Sequence, residues 1–398
     1  VTDLHTLEDL DLAALRGVRV FVRVDYNVPL AQGRVADATR LEESLPTLRE
    51  LRAAGARLLL ASHCGRPKAA PDPRYSLRPV AAKLGELLGA PVAFAEDCVG
   101  EPARRAAAAL GDGEVCLLEN LRYHAGEERN DAAFAGELAA LAAAYVGDAF
   151  GSAHRAHASV VGVPGRLRRR AAGRLLVKEV AALGRLLAAP EKPFAALLGG
   201  AKIEDKIETL ENLLPRLDLL LVGGGMANTF LAARGHDLGA SLFERERLDT
   251  ARDVLERAQA AGIEVFLPVD VVVTDDLEAP RRLETVPVDR LPAGLKAVDV
   301  GPATRHTFAA AVGRARTLFW NGPLGVFEKP PFDEGTRALA VAIAECRGFT
   351  VVGGGETVAA VRQAGVLGRI GHVSTGGGAS LEFLAGKTLP GVEVLERR

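Results

Sequence analysis

The sequence predicts an α/β protein of two domains, each a parallel β-sheet flanked by helices, and three observations lead there. The chain has 398 residues, beyond the size at which one hydrophobic core keeps growing, so two cores are expected. Short β-branched or leucine-rich runs alternate with segments of helical period, the pattern of βαβ units. A helical stretch from Ala171 to Ala189 ends at Pro190 between two complete sets of strands, and reads as an interdomain connector.

In the first half the apolar runs place strands at Val18 to Val24, Arg57 to Ser62, Val92 to Ala95, Val115 to Glu119 and Tyr145 to Phe150. Helices are expected at Leu77 to Leu88, at Asp131 to Ala144, and over Thr39 to Gly55. In the last of these Leu41, Leu45, Leu48 and Leu51 recur at helical spacing and Pro46 marks a kink or a later start. In the second half strands are expected at Phe194 to Leu198, Asp218 to Val222, Val265 to Leu267, Thr317 to Trp320 and Phe349 to Val352. Parallel sheets bind ligands beyond the carboxyl ends of their strands, which makes the loops there the places to search.

Composition narrows the function classes. Apolar residues are 48% and charged residues 25%, with a formal charge of -2, unlike a disordered chain or a strongly basic nucleic-acid binder. The run Arg166-Leu-Arg-Arg-Arg170 is read as a solvated face without function. Cys64, Cys98, Cys116 and Cys346 lie far apart with no C-x-x-C pair, which suggests neither a disulfide framework nor a zinc site and favours a reducing compartment. Residues Val1 to Leu10 carry acids and no apolar core, and no uncharged run approaches the roughly 20 residues that span a bilayer. The expectation is a cytoplasmic protein with no membrane and no nucleic-acid partner.

The second half carries four glycine runs, each between an apolar run and a helix start: Gly199-Gly200, Gly223-Gly224-Gly225, Gly353-Gly354-Gly355 and Gly376-Gly377-Gly378. Glycine lets a ligand approach the backbone, and the following helix N-terminus offers free N–H groups to phosphate. Tight βα turns also need glycine for steric reasons alone, so it is the fourfold repetition that points to a nucleotide. Neither G-x-x-x-x-G-K-[ST] nor G-x-G-x-x-G is present; Leu381 stands where the first would need glycine before Gly386-Lys387-Thr388, and Asn228 where the second would need its third. That weakens an NAD-dependent oxidoreductase as the rival reading. Lys202 and Lys206, at i, i+4, are expected on one face of a helix starting after Gly200. Two ammoniums there oppose the helix dipole unless a polyphosphate binds; a solvated face with Glu204, Asp205 and Glu208 as partners remains equally open on spacing.

The first half instead carries cations at strand ends or helix starts: Arg23-x-Asp25-x-Asn27, Arg40, Ser62-His-Cys-Gly-Arg66, Asn120-Leu-Arg122 and Ala153-His-Arg-Ala-His157. Guanidinium forks match phosphate and carboxylate oxygens, so several converging on one sheet edge describe a site for a small polyanion, although any single arginine could pair with a nearby acid. Asp25 could accept a hydrogen bond from a substrate hydroxyl. His154-x-x-His157 lacks a third metal ligand and reads as hydrogen-bonding.

These residues fall in long motifs: Val22-Arg-Val-Asp-Tyr-Asn-Val-Pro29, Ser62-His-Cys-Gly-Arg-Pro67, Ala153-His-Arg-Ala-His-Ala-Ser159, Gly199-Gly-Ala-Lys-Ile-Glu-Asp-Lys206, Gly223-Gly-Gly-Met-Ala227, Trp320-Asn-Gly-Pro-Leu-Gly-Val-Phe-Glu328 and Ser374-Thr-Gly-Gly-Gly-Ala-Ser-Leu-Glu382. With them the chain resembles phosphoglycerate kinases along nearly its whole length. The resemblance implies a monomer of two Rossmann-like three-layer α/β/α domains joined by a connector helix and hinge, 1-171 with a return segment 386-398, and 172-385. It implies reversible transfer of the acyl phosphate of 1,3-bisphosphoglycerate to Mg-ADP, giving 3-phosphoglycerate and ATP.

Residue by residue, the resemblance assigns Asp25, Asn27, Arg40, His63, Cys64, Gly65, Arg66, Arg122 and Arg155 to the glycerate, and Arg40 and Lys202 to the phosphoryl group in transit. Nucleotide contacts fall to Gly200, Ala201, Lys202, Lys206, Gly223, Gly224, Gly225, Ala297, Asn321, Pro323, Glu328, Gly354, Gly355, Glu356 and Thr357. Two departures stand out. The family pattern has aspartate after its three glycines where this chain has Glu356, the expected Mg2+ ligand; the alternative is that Glu356 caps its helix and Thr357 takes the metal. Ala297 stands where the family often has glycine, and its methyl narrows the adenine wall.

Overall fold

Six parallel strands form the first sheet: β1 (Arg19–Val24), β2 (Arg57–Ala61), β3 (Val92–Ala95), β4 (Val115–Leu118), β5 (Ala144–Asp148) and β6 (Arg169–Ala172), in the order β3-β4-β2-β1-β5-β6. The computed structural model describes residues 3–397. Central strands of such a sheet are covered on both faces and need continuous apolar sequence. The helix Thr39–Ala53 supplies one cover: Leu41, Leu45, Leu48 and Leu51 pack with Val20, Val22, Leu58 and Leu60. Pro46 lies inside this helix rather than at its start, so the helical spacing of the leucines prevails over one missing N–H.

The second sheet repeats the design with β7 (Phe194–Leu198), β8 (Leu219–Val222) and β9 (Glu264–Phe266), then β13 (Thr317–Asn321), β14 (Phe349–Gly353) and β15 (His372–Val373). Its order is β9-β8-β7-β13-β14-β15, all parallel. Between the two halves of this series, β10 (Asp270–Thr274), β11 (Leu283–Pro287) and β12 (Lys296–Val300) make a separate antiparallel sheet of order β11-β10-β12. Phe308, Val312, Leu339 and Ile343 from two helices pack with Leu197, Leu221, Leu318 and Trp320 in the core.

The chain divides into two units, Val1–Ala181 with Thr388–Arg398, and Ala182–Lys387, the boundary falling inside the helix Arg174–Ala188. Backbone bonds bind the late segment of the first unit to its earlier residues: His5 N–H donates to the Leu395 carbonyl at 2.9 Å and Gly391 N–H to the Ala153 carbonyl at 2.8 Å.

Several local features differ from the sequence reading. The connector helix starts at Arg174, because Ala171 and Ala172 pair with Val146 and Gly147 as the end of β6. The basic run is bound up locally: Arg166 donates to the Gly162 carbonyl, Arg169 to Leu10 and Arg170 to Pro164. The helix expected to reach Ala144 stops at Ala139, and β5 begins at Ala144. An alanine-rich run satisfies helical and strand periods alike.

Candidate active site

In the first unit, the expected anion-binding residues follow the carboxyl ends of β1, β2, β4 and β5. Asp25, just past β1, pairs with Arg40 at 2.5 Å, the arginine standing in the first turn of the helix Thr39–Ala53. Burial pushes the Asp25 carboxyl up, but Arg40, with His63 and Arg23 behind it, outweighs burial and holds it at about 2. The exposed Asn27 accepts from Gly65 N–H at 2.8 Å, tying the loop after β1 to the loop after β2. Gly65 has φ +62, and a Cβ there would overlap the Tyr75 ring.

Asn120 organises the same region from below. Its carboxamide accepts from Cys64 N–H and Arg122 N–H and donates to the Cys64 and Tyr75 carbonyls, at 2.7 to 3.2 Å. Cys64 itself is buried, and burial pushes its thiol up to about 11. Arg122, 4% exposed, donates through Nη1 to the Gly65 carbonyl at 2.8 Å. Its Nη2 is buried without a hydrogen-bond partner, a costly omission that a bound anion would repair. Arg66 is exposed and forms no hydrogen bond or ion pair among the described residues. Arg155 donates to His154 at 3.1 Å. Burial, then the charges of Arg122, Arg23 and Arg155, hold His157 at about 4.

Asp97, Cys98 and His124 bring potential metal-ligand atoms within 4.8 Å of one another. Asp97 Oδ1 already accepts from Cys98 N–H and bonds His124 Nε2 at 2.7 Å, and burial holds the Cys98 thiol protonated, so the group is complete as a hydrogen-bonded cluster.

The glycines of the second unit separate into two kinds. The turns after β7, β8 and β13 press backbone against backbone: Gly200 N–H donates to the Pro323 carbonyl at 2.7 Å and Met226 N–H to Gly200 at 2.9 Å. A Cβ on Gly224 would stand 2.8 Å from Gly200 N and O and from Pro323 O, and one on Gly225 3.0 Å from the Ala201 carbonyl. A Cβ on Gly223 would overlap Leu324. These glycines are needed by the protein itself. At Gly355, Gly377 and Gly378 nothing beyond the adjoining backbone lies within 4 Å of such a carbon, so there the backbone is open to a ligand.

The two lysines do not share a helix face. The helix begins at Ile207, with Lys206 as the residue before it and the exposed Lys202 in the irregular segment that follows Gly200. Ile203 anchors that segment by its buried side chain and its N–H bond to Glu244, and this prevents an earlier helical start. Lys206 leans over Gly200; burial lowers its ammonium, and Asp205 and Glu356 oppose that. Glu356 is exposed in the first turn of the helix Gly355–Gln363, while the buried Thr357 accepts Gly322 N–H at 2.7 Å. Asn321 donates to the Gly353 carbonyl at 2.9 Å and joins the ends of β13 and β14. Ala297 on β12 donates its N–H to Ser241 at 2.9 Å, and Glu328 is exposed.

Sequence reasoning passed over the supports of this geometry. Asn120 was only part of a motif, and Glu127 and Ser159, both fully buried, were not singled out as site residues. A buried acid is invisible to motif reading when its partner lies 32 positions away.

Residues 7–387 match the family model described as phosphoglycerate kinase. A phosphoglycerate kinase of Thermus thermophilus is 58% identical over 396 residues, covering 99% of this chain and 100% of the relative. The solved phosphoglycerate kinase of Coxiella burnetii matches with TM-score 0.88 at 40% identity, and that of Pyrococcus horikoshii with 0.86 at 33%, each comparison covering 98% of both chains.

Proposed function

This chain belongs to the phosphoglycerate kinase family, and we propose from that premise how its residues divide the work of moving a phosphoryl group between 3-phosphoglycerate and a nucleotide. The reaction is the reversible transfer of the acyl phosphate of 1,3-bisphosphoglycerate to Mg-ADP, giving 3-phosphoglycerate and ATP. The observation that carries the assignment is the group of cations gathered at the strand ends of the first sheet around the Asp25–Arg40 pair, with Arg122 Nη2 buried and without a hydrogen-bond partner while its Nε faces Glu128 at 3.2 Å.

In this reading Asp25 and Asn27 take the glycerate hydroxyl side, and His63, Arg66, Arg122 and Arg155 take its anionic oxygens. Asp25, ionised throughout the physiological range, keeps Arg40 oriented. In-line phosphoryl transfer needs little covalent help; positioning and cations around the equatorial oxygens supply most of the rate. Arg40 and Lys202 fill that role. The acceptor is already an anion, so no general base is required.

The nucleotide lies along the open turns at Gly355, Gly377 and Gly378, with Lys202 and Lys206 at its phosphates and Glu328 at its ribose. Mg2+ suits this place: Glu356 is an exposed carboxylate beside an open backbone, and a hard cation that keeps several waters accepts one protein oxygen plus phosphates. Bound there, it neutralises phosphate charge. Thr357, whose hydroxyl is engaged by Gly322, holds the turn. The proposal includes a monomer working in the cytoplasm; among the described residues no helix is long and apolar enough to cross a membrane. A coupled assay should show ADP formation from ATP that depends on 3-phosphoglycerate. Absence of that dependence, or NADH turnover in its place, would refute the assignment.

A further inference from the structure

Arg23 interrupts the apolar run of β1 yet is 1% exposed. Its guanidinium is fully surrounded: Nε donates to Ser159 Oγ at 2.8 Å, Nη1 to the Val24 carbonyl, and Nη2 to Ser152 Oγ at 3.4 Å. The same Nη2 faces His63 Nδ1 at 3.2 Å. Behind Ser159 stands a wholly buried carboxylate. Glu127 accepts the Ser159 hydroxyl at 2.5 Å on Oε1 and the Ser159 N–H at 2.9 Å on Oε2. The acid therefore balances Arg23 through a serine rather than by direct contact.

This chain of donors has a fixed direction. A guanidinium offers only N–H groups, so the histidine nitrogen that meets it must present a lone pair. The ring proton then resides on Nε2, which makes no hydrogen bond among the described residues. Burial, reinforced by the positive charges of Arg23, Arg122 and Arg155 against the pull of Asp25, also holds His63 well below its ordinary titration range.

We propose that Glu127 and Ser159 are positioning residues: they hold Arg23 against His63 and so fix the imidazole as a neutral Nε2–H donor toward the anionic glycerate. The inference rests on placing the glycerate in this cluster. It gives His63 a specificity role, because a ring locked in this tautomer rewards an oxygen acceptor and disfavours any ligand group that must donate. Loss of the lock leaves the ring free to present either nitrogen.

The test is nitrogen NMR on the intact enzyme labelled at histidine, with His63 assigned from the spectrum of His63→Ala. The parent should show Nδ1 unprotonated and Nε2 protonated at neutral pH, a reading that needs no variant to fold. In Ser159→Ala and in Glu127→Gln the protonated fraction at Nδ1 should rise. KM for 3-phosphoglycerate should rise roughly tenfold in both, the scale for a hydrogen bond to a charged partner, with kcat changed far less. A purely structural role would lower the melting temperature and leave the His63 resonances where they were, and that result in both variants overturns the proposal, as does a parent protonated on Nδ1. Unchanged 3-phosphoglycerate affinity in His63→Ala would instead refute the placement of the glycerate beneath it.

Discussion

Gly224 and Gly355 stand at equivalent strand-to-helix turns, and alanine at each should have opposite effects. At Gly224, φ is +64 and the new carbon would lie 2.8 Å from Gly200 N and O and from Pro323 O. A left-handed conformation costs an alanine about 1–2 kcal/mol, and forcing a methyl group into filled space adds about 1–3 kcal/mol. The second unit should therefore lose about 2–5 kcal/mol, and at about 2–4 °C per kcal/mol for a unit of this size its melting should fall by at least about 4 °C. At Gly355 the first helical residue has open space around it. Alanine favours helix over glycine by up to about 1 kcal/mol, so melting should hold or rise slightly. Yet the methyl group would occupy the space proposed for the nucleotide phosphates, and on that proposal MgADP affinity should fall about tenfold or more. Scanning calorimetry and isothermal titration with MgADP read the two quantities separately. If Gly355→Ala binds MgADP like the parent, the open turn is not the nucleotide contact; if Gly224→Ala melts like the parent, backbone packing is not what requires glycine there.

Other perturbations follow from the same geometry. Arg40→Ala and Lys202→Ala should each lower kcat by about 10²-fold or more, the scale of one preorganised donor, and steady-state kinetics with near-parental kcat would remove that residue from the transfer step. Glu356→Gln should raise the magnesium concentration that gives half-maximal rate, whereas Glu356→Asp keeps most activity; a Gln variant that titrates with magnesium like the parent leaves Glu356 only a helix-capping role. Burial, opposed by hydrogen bonds from Thr47, Leu176 and Leu175, pushes the Asp148 carboxyl up to about 7. An acid with a raised native pKa stabilises the fold fully below its unfolded value and loses that contribution as pH rises through about 7. Asp148→Asn should thus gain stability relative to the parent by a few kcal/mol between about pH 4 and pH 8, and urea unfolding that shows a constant difference would contradict it.

The two sheets were legible because parallel strands buried on both faces write themselves as apolar runs, and Val20, Phe21 and Val22 or Leu219, Leu220 and Leu221 leave few alternatives. The edges were not. β6 consists of Arg169, Arg170, Ala171 and Ala172, and its polar residues on the outermost strand carry no strand signal. The antiparallel strands Asp270–Thr274, Leu283–Pro287 and Lys296–Val300 form a small surface sheet in which Leu283, Glu284 and Thr285 are exposed, so alternation was weak. In the site, the cations at strand ends came from sequence. The difference between Gly224 and Gly355 did not, because glycine letters are alike whether backbone or ligand fills the space beside them.

The first unit is closed by residues that follow the second: the strand bridge between Leu4 and Glu396 and the bond from Gly391 to Ala153 join positions hundreds of residues apart. During synthesis, at about 5–20 residues per second, the whole of Ala182–Lys387 is made while the first unit still lacks this seam. The second unit, contiguous in sequence, can reach its final contacts before the first does. Of the two units, the one begun earlier on the ribosome is thus the one completed later.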